Sequence, residues 1–291
     1  MTEDSSPKQN MVRQWISTMV TEPIHYTKAC DEQFSREYWP HLRVIFKRLC
    51  DEGLIESVGG KDGMYRPVDN HAKPLDWQGY DAKSDSGLIL PFGLREYVMI
   101  YPDTVCVVAG SKSSGKTGFL YRTVVLNMNQ MNVVLLTNLE GGILMLRDRF
   151  NAMDIEIPSP APFRVLHVSS HFHDYIKEAN TLYVVDYIDP PENEFYKVGS
   201  YIRAISNKLQ GLNSLAVVGL QKPSNRDTAF GGDLTLQVAT LYIAMDSKKL
   251  KIVDAKVPAI KTIHPKNMQW TFDYDDEGTR FTNIKLNYEE W

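Results

Sequence analysis

Hydrophobic and polar positions change rhythm partway along this chain. In its first seventy or so residues the apolar side chains recur at helical spacing and then in two short runs. Val12, Trp15, Ile16 and Met19 share one side of a helix expected over 11–20, and Leu42, Ile45, Phe46 and Leu49 share one side of another over 38–52, stopped by Gly53. A short helix over 24–30 is expected between them. The runs 54–58 and 64–68 flank a glycine-rich turn at 59–63, which predicts a hairpin. Residues 70–87 hold few apolar side chains and read as a linker. The expected organisation is therefore 1–69, a linker over 70–87, and a second domain over 88–291.

Beyond Leu88 the apolar runs become continuous. The segments 105–109, 132–136, 164–168, 182–186 and 215–219 are dominated by Val and Leu without alternation, as in strands covered on both faces. Helices are expected over 117–129 and over 196–210, where Val198, Ile202, Ile205 and Leu209 fall on one face. Such alternation predicts an α/β domain with a mostly parallel sheet flanked by helices. The pattern then changes over 251–256, 268–274 and 280–286, which predicts an antiparallel extension of the sheet.

A hydrophobic fraction of 43% with 23% charged residues describes an ordinary globular chain rather than a disordered or membrane one. The net charge of −4 excludes a global basic field, so any nucleic-acid contact has to come from local patches or from assembly. Cys30, Cys50 and Cys106 are scattered among apolar neighbours, unlike a disulfide or zinc framework. With a polar, acidic start and no apolar run near bilayer length, the expectation is a cytoplasmic protein without a membrane partner.

The chemistry begins at Gly110, Ser111, Lys112, Ser113, Ser114, Gly115, Lys116 and Thr117, which match the phosphate-binding pattern G-x-x-x-x-G-K-[ST] between a strand and a helix. Glycines let the backbone N–H groups curl around a phosphate, and the helix N-terminus adds its positive end. Lys116 is placed to neutralise phosphate oxygens and Thr117 to ligate Mg²⁺, so the implied ligands are ATP and Mg²⁺. Asp186 ends the apolar run 182–185. An Asp there is weak on its own, but after a P-loop it fits the carboxylate that holds the metal. Glu140 follows the run 132–136 and has two readings: a general base for the attacking water, or a helix-start carboxylate with a purely electrostatic role. Gln221 follows the run 215–219 and reads either as a γ-phosphate sensor or as a polar strand end.

These stretches, in this order, resemble the RecA-fold ATPases, closest to the branch of DnaB-type replicative helicases and RadA/KaiC proteins. The segments carrying the resemblance are 109–117, 137–140 with 147–150, 184–189, 204–221 and 253–256. It implies a RecA-like core over about 88–291, with Glu140 as catalytic glutamate, Asp186 as Walker B aspartate and Gln221 as switch residue. It also implies self-assembly into a hexameric ring or a helical filament, with the loop 222–233 facing single- or double-stranded DNA. The family's late-strand Lys-x-Arg pair, which reaches into a neighbouring subunit's site, is reduced here to Lys256 followed two places on by Pro258, with Lys261 as a nearby substitute. The 1–69 unit resembles a winged helix-turn-helix domain.

On that unit Arg43 and Lys47 fall one turn apart, away from the apolar face, with Arg36, Lys61 and Arg66 as further phosphate contacts. Nine Lys/Arg against ten Asp/Glu over 1–66 leave protein docking as the alternative. On the loop 222–233, Lys222, Asn225, Arg226 and Phe230 suit backbone contact and base stacking, against the alternative of a solvated loop. The expected function is an ATP-dependent, DNA-binding motor or assembly factor of replication or recombination, working with other proteins of those processes. An ATP-gated DNA-binding regulator or scaffold, and a partner-loading ATPase without DNA contact, are the alternatives.

Overall fold

The computed structural model describes residues 7–20, 22–27, 34, 39–59, 63–69, 85–190, 194–275 and 278–287. The chain divides into two compact units, Met1–Asp81 and Ala82–Trp291. Arg36, Lys61, Cys30 and most of the expected linker lie outside the described residues.

In the first unit, α1 (Pro7–Met19) and α2 (Trp39–Asp51) bury Val12, Ile16, Leu42, Ile45, Phe46 and Leu49 in one small core. β2 (Ile55–Ser57) and β3 (Met64–Pro67) form the expected hairpin. One expectation is corrected. Ile24–His25 is a strand, β1, that pairs antiparallel with Met64 and Tyr65 of β3; helical residues begin only at Tyr26 and Thr27, and 28–30 lie outside the described residues. Pro23 disfavours helical continuation into this segment, and the Tyr26 N–H is taken up by the Gly63 carbonyl at 3.0 Å.

The second unit is built on a nine-stranded sheet among the described residues, in the order β12-β11-β10-β9-β4-β8-β7-β5-β6. β4 (Thr104–Gly110), β5 (Asn132–Thr137), β6 (Arg164–His167), β7 (Thr181–Ile188), β8 (Leu215–Gln221) and β9 (Leu241–Asp246) run parallel. β10 (Lys249–Ala255), β11 (Gln269–Tyr274) and β12 (Phe281–Asn287) extend it antiparallel. The period-2 geometry of a strand explains the continuous apolar runs. In β4, Cys106 and Val108 enter the core beneath α3 (Lys116–Asn127) and α4 (Gly142–Asn151). Val105, Val107 and Ala109 point to the opposite core, covered by α5 (Val198–Leu209). The parallel strands share one carboxyl edge; the P-loop, Glu140 and Gln221 follow or end strands there, and Asp186 lies two residues short of the end of β7.

Candidate functional site

The turn from β4 into α3 sets the shape of the site. Gly115 caps the helix at φ 86°, and Ser113 stands at φ 58°. A Cβ on Gly110 would lie 2.6 Å from Ser114 Oγ and 2.8 Å from Lys116 Cβ, so only a glycine lets the turn close. The Ser111 N–H donates to the Met245 carbonyl at 3.1 Å and the Lys222 N–H to the Gly110 carbonyl at 3.0 Å, which fixes the base of the loop to both flanking strands. Ser114 Oγ is buried without a partner. A buried hydroxyl left unpaired in the turn that opens a helix suits a site for a polar anion.

Lys116 is buried, with Nζ 3.5 Å above the centroid of the Tyr187 ring. Burial lowers its pKa to about 8, against the opposing pull of Asp186, Glu140 and Asp189. The Thr117 hydroxyl donates to Asp186 Oδ1 at 3.2 Å, and burial raises the Asp186 carboxyl above its ordinary range despite the nearby Lys116. Thr117 and Asp186 are thus adjacent, as shared Mg²⁺ ligation requires. Among the described residues no cluster of three or more His, Cys, Asp or Glu side chains could hold a metal alone. This agrees with the habit of Mg²⁺ of using one or two protein oxygens plus substrate phosphates. The polar cradle and this oxygen pair fit a nucleotide with its metal.

A cleft of about 600 Å³ opens over the cradle. Residues 111–118, Glu140 and Gln221 line it together. Sequence reasoning missed six further lining residues: Gly141, Met145, Arg149, Tyr187, Tyr274 and Gly278. The Tyr274 hydroxyl donates to the Ser113 carbonyl at 2.9 Å, tying the antiparallel extension to the P-loop. A Cβ on Gly118 would lie 1.7 Å from the Gly278 carbonyl oxygen, so the first turn of α3 packs directly on the backbone between β11 and β12. Arg149 was within reach of the sequence: it falls in the segment 147–150 that carries the resemblance, on α4 one turn beyond Met145.

Lys256 does not line this cleft. It follows Ala255, which pairs with Leu241 and through it with Cys106, whereas the cradle begins at Gly110 opposite Met245. Lys256 itself is level with Thr240, so five residues of strand place it about 16 Å toward the other edge of the sheet. Its exposed Nζ reaches the Gln237 carbonyl at 3.4 Å, and the segment is held where Met99 N–H meets the Val257 carbonyl at 3.0 Å. Lys261 is exposed in the turn beyond.

The loop after β8 needs a correction. Lys222 was expected to face nucleic acid, but its side chain is fully enclosed and pairs with Asp246 at 2.6 Å. Its ammonium also donates to the carbonyls of Arg226 at 2.8 Å and Pro223 at 3.3 Å. The loop's start folds over its own lysine because β9 presents a carboxylate beside it. Asn225 and Arg226 are exposed, and the partly exposed Phe230 ring packs 4.9 Å from that of Phe195. In the first unit Arg43 and Lys47 are exposed on α2, while Arg66 pairs with Glu56 across the hairpin.

A KaiC-like protein from the hyperthermophilic archaeon Pyrococcus horikoshii OT3 superposes with a TM-score of 0.52 at 13% identity, over 70% of this chain and 99% of that one. The fold is that of the RecA-like P-loop ATPases. The RadB recombinase aligns more loosely, with a TM-score of 0.46 and 16% identity over 64% of this chain and 93% of that one. A DnaB-like replicative helicase does so with a TM-score of 0.45 and 12% identity over 64% and 58%. No family model and no curated protein matches the sequence. Among the described residues no helix is long and apolar enough to cross a membrane.

Proposed function

We propose that this RecA-like chain binds ATP with Mg²⁺ in the cleft, hydrolyses it, and couples turnover to DNA as an oligomeric motor or assembly factor of replication or recombination. The observation that carries this reading is the convergence of Lys116, the Thr117–Asp186 pair, Glu140 and Gln221 on one cleft at the carboxyl edge of the sheet.

In this reading residues 110–117 wrap the phosphates and Lys116 leaves the Tyr187 ring to neutralise their oxygens. Thr117 and Asp186 hold Mg²⁺, which when bound draws charge from the phosphate oxygens. Glu140, exposed at the rim, takes the proton of the attacking water, and ADP and phosphate leave. Gln221 hydrogen-bonds near the terminal phosphate and passes its loss to the loop carrying Asn225, Arg226 and Phe230, which meets DNA. Residues 1–69 act as a winged helix, with Arg43 and Lys47 toward phosphates, joined by 70–87 to the 88–291 core. Lys256, too far from its own cleft, serves the site of a neighbouring copy in a ring or filament. The setting we infer is the cytoplasm.

The test is Mg²⁺-dependent ATP turnover with and without single-stranded DNA, for the wild-type chain and Glu140→Gln. The variant should bind ATP as before and lose roughly 10²-fold or more in turnover. Normal turnover by the variant removes Glu140 as the base, and a wild-type rate indifferent to DNA removes the motor. A second reading, an ATP-gated DNA-binding regulator with slow hydrolysis, is favoured by one observation: the strand end after Lys256 carries Pro258, locked in a bridge to Val98, where the family places an arginine.

A further inference from the structure

Three arginines stand on the helices beside the cleft, and two are engaged. Arg122 of α3 pairs with Asp154 at 2.6 Å, and Arg147 of α4 with Asp148 at 2.8 Å. Among the described residues Arg149 alone of the three forms no ion pair. It is half-buried and lines the cleft with Lys116, Glu140 and Gln221. Its direction is fixed by its neighbours on α4. Phe150 stacks on Tyr121 of α3 with ring centroids 4.9 Å apart and planes 7° apart, and Leu146 is buried in the same core. With that face held, Met145 and Arg149 are turned to the cleft wall. An unpaired guanidinium in a cleft with a phosphate cradle has an obvious kind of partner: it matches phosphate oxygens with two parallel donors.

We propose that Arg149 is a cis-acting arginine of the nucleotide site, its guanidinium contacting the terminal phosphoryl group of a triphosphate held by the same chain's P-loop. The proposal rests on the reading of the cleft as an ATP site and goes beyond it. It gives the chain, from within one protomer, the guanidinium that the strand end at Lys256 and Pro258 lacks. Such a contact discriminates ATP from ADP and stabilises charge on the phosphoryl oxygens during transfer.

Isothermal titration with Mg²⁺-ATP and with Mg²⁺-ADP separates the possibilities. Arg149→Ala should weaken ATP binding about tenfold or more while ADP binding changes less than about twofold, and turnover should fall roughly 10²- to 10³-fold. Arg149→Lys keeps a charge without the bidentate fork and should recover part of the ATP preference. Mixing Arg149→Ala with Lys116→Ala distinguishes cis from trans, because the second variant carries an intact Arg149 beside a dead P-loop. No recovery of turnover is expected. Recovery on mixing, or equal losses for ATP and ADP, overturns the assignment. If the wild-type chain binds ATP and Arg149→Ala binds it equally well, only the arginine's role falls. If the wild-type chain binds neither nucleotide, the ATP reading falls and takes this one with it.

Discussion

Lys222 and Asp246 should respond very unequally to truncation. The three donors of the Lys222 ammonium meet three acceptors, and its side chain has no exposure, whereas the side chain of Asp246 is 36% exposed. Asp246→Ala would strand a charged group with two neutral carbonyls and no route to water. Breaking a buried pair from one side costs about 3–5 kcal/mol, and the part-hydrated state of Asp246 argues for the lower end, about 3 kcal/mol. Lys222→Met removes the enclosed charge, keeps most of the stem volume and lets Asp246 rehydrate. The carbonyls it abandons lie at the base of a surface loop, so the loss should be about 1 kcal/mol. Urea unfolding of the full chain, compared through midpoints at unchanged slope, measures both. A second assay asks the functional question. An enclosed ammonium neutralises no DNA phosphate, so Lys222→Met should leave the dependence of log affinity on log salt unchanged, while Arg226→Ala should reduce that slope by about one. A Lys222 variant as damaging as the Asp246 variant, or a reduced salt slope on losing Lys222, would refute the argument.

Three further outcomes are expected. Lys116 titrates at about 8 in the folded chain against its ordinary 10.5, so unfolding takes up a proton between those values. Nucleotide-free stability should therefore rise as pH climbs from 8 to 10.5, by up to about 3 kcal/mol, with the cost fully present below pH 8. Lys116→Met should abolish nucleotide binding and flatten that rise, and an unchanged pH profile of urea midpoints would contradict it. Tyr274→Phe removes the hydroxyl that donates to Ser113 and should weaken nucleotide binding by about 1 kcal/mol, several-fold in affinity, with little change in melting temperature. Gly118→Ala places a methyl inside the Gly278 carbonyl contact and should cost about 2 kcal/mol or more in denaturant unfolding.

The buried strands of the core were legible because both faces of the sheet are covered, which turns each strand into an uninterrupted Val/Leu run. The P-loop, Asp186, Glu140 and Gln221 were legible because strand ends at a shared carboxyl edge converge whatever lies between them. Ile24–His25 was not, since two residues carry no period and their strand exists only through pairing with β3. Lys222 was misread for a related reason. A lysine after a strand looks solvated until the carboxylate of Asp246, remote in sequence, is brought beside it. Tyr187 and Tyr274 look like ordinary aromatic strand residues. Only the ammonium lying over one ring and the carbonyl bonded to the other hydroxyl mark them.

The contact of Tyr274 with Ser113, and of Gly278 with Gly118, means that the recognisable motif is not self-sufficient. A fragment ending after β10 would keep every signature letter from Gly110 to Gln221 and still lose one wall of the nucleotide cleft. Any motion that peels the terminal hairpin from α3 would loosen the grip on phosphate from a distance, which makes the tail of the chain a handle on the chemistry at its middle.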